Sequence, residues 1–287
     1  MNMGRKILAG LVVVVLTFFG VVLVMAATIN VPADYATIQA AINAAAAGDT
    51  INVAKGTYNT TLGETFPITV NKANLTIHAT GTAANTIIDK EGPSSGSVVR
   101  ITASGVTFDG FTVTGNPTWN GIEIPNMDPD VTSCAISNNI IKDNDYGINL
   151  YESYDNTITN NTIDNNGSVG IMVANFDAGG GNTITNNTIT NNGGGINLMM
   201  TTGDVINYNN IMGNTYSGIK ASFCLSEVNA EYNWWGSDNG SGQDGANDVS
   251  GNVDADPWLS QEWSNQVLVD DGFNDTTPDW QATHFDK

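Results

Sequence analysis

Short runs of alternating apolar and polar residues recur along most of this chain at nearly constant spacing. The clearest open on Gly-Ile pairs, Gly121-Ile122, Gly147-Ile148, Gly170-Ile171, Gly195-Ile196 and Gly218-Ile219, at steps of 26, 23, 25 and 23 residues. Positions of one parity are aliphatic: Ile122 and Ile124, Ile148 and Leu150, Ile171 and Val173, Ile196 and Leu198, Ile219 and Ala221. The residues between them, Glu123, Asn149, Met172, Asn197 and Lys220, are mixed. Successive strand side chains point to opposite faces, so the pattern predicts strands with one face buried. The copies are too far apart for hairpins and suit parallel strands stacked around a coil. A period of roughly 20–45 residues signals a solenoid, and parallel crossovers make the coil right-handed.

Between the Gly-Ile runs lies a second phrase built on paired asparagines: Asn138-Asn139, Asn160-Asn161, Asn186-Asn187, Asn209-Asn210 and, degenerating, Tyr232-Asn233. Asn tolerates left-handed backbone angles, and its amide satisfies main-chain groups at a tight bend. Stacked in register, Asn139, Asn161, Asn187, Asn210 and Asn233 are expected to form a structural hydrogen-bonded ladder. Looser strands precede the clear repeats at 51–53, 75–77, 98–101 and 106–113. Earlier still, Thr37 through Ala47 reads as a short amphipathic helix with Thr37 as N-cap and Gly48 as its stop. Such a helix would cover the open N-terminal end of the solenoid. The fold expected is all-β: a single-stranded right-handed parallel β-helix with a short N-terminal capping α-helix.

Composition adds the compartment. Arg5 and Lys6 precede an apolar run from Ile7 to Met25, and small residues near Ala26 suit cleavage, so 1–26 reads as a signal peptide or an N-terminal membrane anchor. The β-helix module is placed at 28–260. The remaining 261–287 reads as a linker and the truncated start of a second module, since Phe285-Asp286-Lys287 overlays Tyr35-Ala36-Thr37, which makes the chain part of a longer tandem protein. Without Arg5 and Lys6, seven basic residues face 29 acids, a mature charge of −22. That surface repels nucleic acid and anionic polymers not bridged by divalent cations. Cys134 and Cys224 fall four rungs apart, about 19 Å at the spacing of stacked strands, so both thiols are expected to be unpaired and mostly buried.

The segment Val31-Pro32-Ala33-Asp34-Tyr35-Ala36-Thr37-Ile38-Gln39-Ala40-Ala41-Ile42, with Gly48-Asp49-Thr50-Ile51 and Gly56-Thr57-Tyr58, resembles the start of pectin-lyase-like right-handed parallel β-helices. The Asn-Asn-x-Ile and Gly-Ile repeats resemble NosD-type proteins and related surface proteins. Asn233-Trp234-Trp235-Gly236 with 253–259 is similar to the closing phrase of such modules. The resemblance covers 28–260 and implies the fold more than an activity, because this fold hosts lyases, hydrolases, esterases, epimerases and non-enzymes. The Arg-rich, Asp/His and paired-Asp motifs of its uronate-acting enzymes are missing. No catalytic residue is identified: Glu123 and Lys220, the nearest approach to an acid–base pair, stand four rungs apart.

A binding face is better supported. Trp119, Tyr146, Tyr151, Phe176 and Tyr216 flank the mixed column, with Glu123, Asn149, Glu152, Asn197 and Lys220 among them. Aromatic faces stack on sugar rings, and polar side chains take their hydroxyls. Asp238, Asp244 and Asp248 offer oxygens of the kind calcium takes, without EF-hand spacing, and no other cofactor is implied. Met172, Met199, Met200 and Met212 lie on adjacent rungs, where thioethers suit cuprous copper or fill gaps in packing. The expected protein is a secreted, cell-surface or periplasmic monomer, non-catalytic, that binds an extracellular polysaccharide or glycan or serves as a rigid spacer. The alternative is a polysaccharide lyase or hydrolase acting on an extracellular polymer.

Overall fold

The structure is a computed structural model that describes residues 26–176, 179–242 and 247–263. Among these residues the strands form three long parallel sheets of ten, eight and seven strands, each the wall of a three-sided solenoid. One full turn runs from Thr157–Thr159 in the ten-stranded sheet to Thr162–Asp164 in the seven-stranded sheet. It then passes through Val169–Ala174 in the eight-stranded sheet and returns one rung higher at Thr183–Thr185. The chain therefore folds as the parallel β-helix that its repeats imply.

Each wall contributes inward columns of aliphatic residues. Ile136, Ile158, Ile184 and Ile206 stack in the ten-stranded sheet and Ile141, Ile163, Ile189 and Ile211 in the seven-stranded one, all fully buried. The Gly-Ile runs supply the third wall, with Ile122, Ile148, Ile171, Ile196 and Ile219 in register and buried. Burying one such side chain is worth about 1.5–3 kcal/mol, so one rung gains from all three walls together.

The corners are built from pairs of residues with divided tasks. Asn138, Asn160, Asn186, Tyr208 and Tyr232 take left-handed φ angles between 56° and 60°. The residue after each one turns its amide inward. Asn139 N–H donates to Asn161 Oδ1 at 3.0 Å, Asn161 to Asn187 at 2.9 Å, Asn187 to Asn209 at 2.9 Å and Asn209 to Asn233 at 2.9 Å. The ladder thus passes through Asn209 and not the expected Asn210. Asn210 instead begins the strand Asn210–Met212, paired with Thr188, and its side chain bonds the backbone of Trp263. Aligning copies by their inward residues, Ile141, Ile163, Ile189, Ile211 and Trp235, puts the ladder two positions upstream in every case. Matching on the Asn-Asn pair shifts the fourth copy by one.

Two further ladders occupy the other corners. Asn144, Asn166, Asn192, Asn214 and Asn247 link the seven- and eight-stranded walls through bonds of 3.0–3.2 Å. Asn156, Asn182 and Asp204 line the third corner. Gly147 shows why the Gly-Ile phrase needs its glycine: a Cβ there would lie 2.5 Å from Gly170 O and 3.0 Å from Asn166 Nδ2. The stacked rungs and the ladder leave that column no room for a side chain.

At the N-terminal end the helix Ile38–Ala44 packs Ile38, Ala41 and Ile42 inward, and Thr37 accepts from the Ala40 N–H as its N-cap. The helix stops three residues before the predicted Ala47. Asp49 takes the Ala46 N–H at 2.8 Å and Gly48 N–H donates to Ala73 O, which ties that stretch to the neighbouring rung. Glu64, distant in sequence, accepts from the N–H groups of Ile38 and Gln39. Both cysteines are free; Cys134 is buried and Cys224 half-buried. No helix among the described residues is long and apolar enough to cross a membrane. The leader read at 1–26 lies outside the described residues but for Ala26, and the second module read at 261–287 but for 261–263.

Candidate functional site

The outward column of the eight-stranded wall is the mixed column read from the sequence. Its register runs Thr69, Arg100, Glu123, Asn149, Met172, Asn197, Lys220 and Ser250 without a break. A hollow of about 450 Å³ lies over its middle, with Glu123, Asn149 and Met172 as floor. One wall carries Trp119 and Tyr146, the other Tyr151 and Phe176, so the groove follows the solenoid axis. Trp119, Tyr151 and Phe176 are exposed, and the last two rings meet edge-on with centroids 5.6 Å apart.

The strands explain this placement. Trp119 falls early in Asn116–Ile124 and Tyr151 ends Asn144–Tyr151, so rings from adjacent rungs are carried to opposite borders of the sheet. Asn149 Nδ2 donates to Asn120 Oδ1 at 3.4 Å, and Ser168 donates to Asp145 on the groove lining at 2.5 Å. Met199 joins Met172 on that lining, whereas Met212 belongs to the seven-stranded wall, so the four methionines do not converge.

Of the other residues read as glycan-binding, Asn197, Tyr216 and Lys220 line a second hollow of about 330 Å³ farther along the same face. Glu152 is displaced from the surface. It is buried at a left-handed φ of 48°, accepts the Phe176 N–H at 2.7 Å and the Tyr154 hydroxyl at 2.7 Å. Its carboxylate holds the backbone that presents Phe176, a positioning task that its neighbours in the sequence do not reveal.

Arg100 was missed. It is one rung below Glu123, with Nε 3.5 Å from Glu123 Oε2, while Ser97 donates to the same oxygen at 2.7 Å. The signal was available: Val99-Arg100-Ile101 alternates like the later runs but lacks their Gly-Ile opening. Glu123 and Lys220 are four paired strands apart, as expected. Asp238 and Asp248 are exposed, and Asp244 lies outside the described residues. Among the described residues no three His, Cys, Asp or Glu side chains gather as a metal site.

No curated protein sequence matches the chain. Among solved structures it is similar to a PL6 family alginate lyase, AlyGC, at 16% identity and a TM-score of 0.51, over 72% of this chain and 31% of that one. It therefore spans about a third of that enzyme's length. It is similar also to an alginate lyase from Paenibacillus sp., at 18% identity and a TM-score of 0.43, over 79% of this chain and 75% of the other. Such likeness bears on the fold alone. The profile described as "Protein of unknown function (DUF1565)" matches residues 26–278, and the chain belongs to that family.

Proposed function

We propose that this chain is an exported β-helix module that binds a carbohydrate chain in the groove over its eight-stranded wall. The observation that carries the reading is the set of three exposed rings, Trp119, Tyr151 and Phe176, around a mixed floor of Glu123, Asn149 and Met172 on successive rungs. Exposed aromatic rings bordering a concave strip of polar and apolar side chains suit the hydroxyl edges and apolar faces of sugars. Rungs repeat at roughly 4.8 Å, so an extended polymer lying along the axis meets a fresh floor residue at every rung. The apolar leader of residues 7–25 and the acidic surface support export and solubility.

The test is affinity electrophoresis and calorimetry with a panel of soluble polysaccharides, using the full chain. Replacing Trp119 or Phe176 with Ala is expected to weaken binding about tenfold each, the worth of one lost ring contact. Wild-type affinity in a variant with Trp119→Ala, Tyr151→Ala and Phe176→Ala together would defeat the groove, and no binding to any polymer would leave a spacer. The lyase or hydrolase reading draws on the Arg100–Glu123 pair beside the groove. Release of new reducing ends or unsaturated products, abolished by Glu123→Gln, would establish it in place of simple binding.

A further inference from the structure

The charges around the groove go further than its shape. Its lining holds two carboxylates, Glu123 and Asp145, and no Lys, Arg or His among the described residues. The nearest guanidinium, Arg100, is already engaged by Glu123 at 3.5 Å. The next cation along the column, Lys220, belongs to the second hollow, three rungs beyond Asn149. Lys90 is buried, with its ammonium donating to the carbonyls of Ser95, Gly96 and Ser97. A bound polyanion would therefore meet the Asp145 carboxylate and an Arg100–Glu123 pair of no net charge, inside the field of a chain of formal charge −20.

We infer that the groove takes uncharged glycans and rejects polyuronates, with Glu123 and Asp145 as the residues that decide between them. This rests on the glycan-binding reading and narrows it. A carboxylate-bearing sugar ring on the floor would be within a few ångströms of like charge, which costs binding energy wherever water does not screen it. A neutral ring loses nothing there, because Glu123, Asp145 and Asn149 accept its hydroxyl protons. Discrimination in this arrangement comes from repulsion built into the site, not from a better fit to the favoured ligand.

The experiment compares two series of two to six units by calorimetry in the presence of a chelator: neutral glucose and mannose oligosaccharides, and galacturonate and mannuronate oligomers. The neutral series is expected to bind with an affinity that salt does not alter. The uronate series is expected to bind more weakly, with the gap narrowing as salt rises from about 0.01 M to 0.15 M and the screening length shrinks. Glu123→Gln, which frees Arg100, and Asp145→Asn are each expected to shift the uronate-to-neutral affinity ratio about tenfold toward uronates. Uronate oligomers that bind wild-type protein as tightly as neutral ones at low salt would overturn the selectivity and leave glycan binding standing. An affinity ratio unmoved in both variants would also overturn it. Failure of both series at every length would defeat the glycan-binding reading itself, and this inference with it.

Discussion

The two faces of the eight-stranded wall come from alternate residues of the same strands, yet they obey opposite rules. Inward, the column Ile122, Ile148, Ile171, Ile196 and Ile219 repeats one residue through five rungs. Outward, one position along, Glu123, Asn149, Met172, Asn197 and Lys220 keep no common residue, and only Asn recurs. The corners side with the interior, since Asn139, Asn161, Asn187, Asn209 and Asn233 form an unbroken ladder. Identity is kept where a side chain must serve the rung above and the rung below at once. Where it faces solvent, nothing in the stacking constrains it, and that freedom is what a recognition surface needs.

The strongest way to break the comparison is to remove one ladder amide. Asn187 donates to Ile158 O, Thr185 O and Asn209 Oδ1 at 2.9–3.0 Å, and its own Oδ1 accepts the Asn161 N–H. Asn187→Ala leaves several of these groups buried without partners, at about 1–3 kcal/mol for each one unmet. A loss of about 3–5 kcal/mol is expected, read from the denaturant midpoint. A loss below 1 kcal/mol would show the ladder to be incidental to the stack.

Next comes the glycine column. Gly147→Ala drives a methyl group against Gly170 O and the Asn166 amide, and neither can yield without opening a rung. The expected cost is about 1–3 kcal/mol, the range for overpacking. The same substitution at Gly167, where a Cβ would meet nothing nearer than 3.7 Å, is the control and is expected to be nearly silent.

A smaller effect comes from the one ladder position that holds an acid. Asp204 is buried one rung above Asn182, and burial pushes its carboxyl above the ordinary 3.8 against the hydrogen bonds from Thr201 and Asn182 that favour ionisation. A carboxyl raised on folding favours the protonated native state. Its contribution is fully present below the unfolded value and is lost as pH rises through the higher folded one. Asp204→Asn removes that slope and lets the amide donate to Thr201. It is expected to stabilise the solenoid at neutral pH by about 1 kcal/mol, with the two proteins converging toward pH 4. Unfolding curves across pH for both, taken as a difference, isolate the effect from the other carboxylates.

How far the fold was legible follows from this division of labour. Inward isoleucines and close-packed glycines recur because stacking demands them, so period and register could be read without coordinates. The ladder was legible in kind but misplaced at Asn210, because the pairing Asn209-Asn210 mimics the earlier pairs while the inward Ile211 fixes a different frame. The second and third ladders were missed because Asp143, Gly213, Gly181 and Gly203 replace the first Asn of the pair while keeping its left-handed angle. At those four positions only the backbone requirement repeats, whereas Asn165-Asn166 and Asn191-Asn192 keep the letters of the pair as well. The groove residues were legible as a group since the outward column and its aromatics follow from the register. Glu152 was not, because burial at a corner depends on where loops return, whereas Arg100 was legible in the alternation of Val99-Arg100-Ile101 and was passed over for want of a Gly-Ile opening.

The smallest effect is the sharpest test, because it uses the same residue type. Asn149 is half-buried on the outward column, and its amide makes one long bond, 3.4 Å to Asn120 Oδ1. Water replaces such a partner at little cost, so Asn149→Thr is expected to change stability by less than about 0.5 kcal/mol. The β-branched side chain suits the strand it joins. Its consequence belongs to recognition: the groove floor loses an amide that both donates and accepts, and glycan affinity is expected to fall severalfold while the denaturant midpoint holds. Calorimetric titration and unfolding of the same sample separate the two. If Asn149→Thr destabilised the fold as Asn187→Ala does, the outward column would be scaffold like the ladder, and the groove would lose its claim to be the variable surface of a repetitive stack.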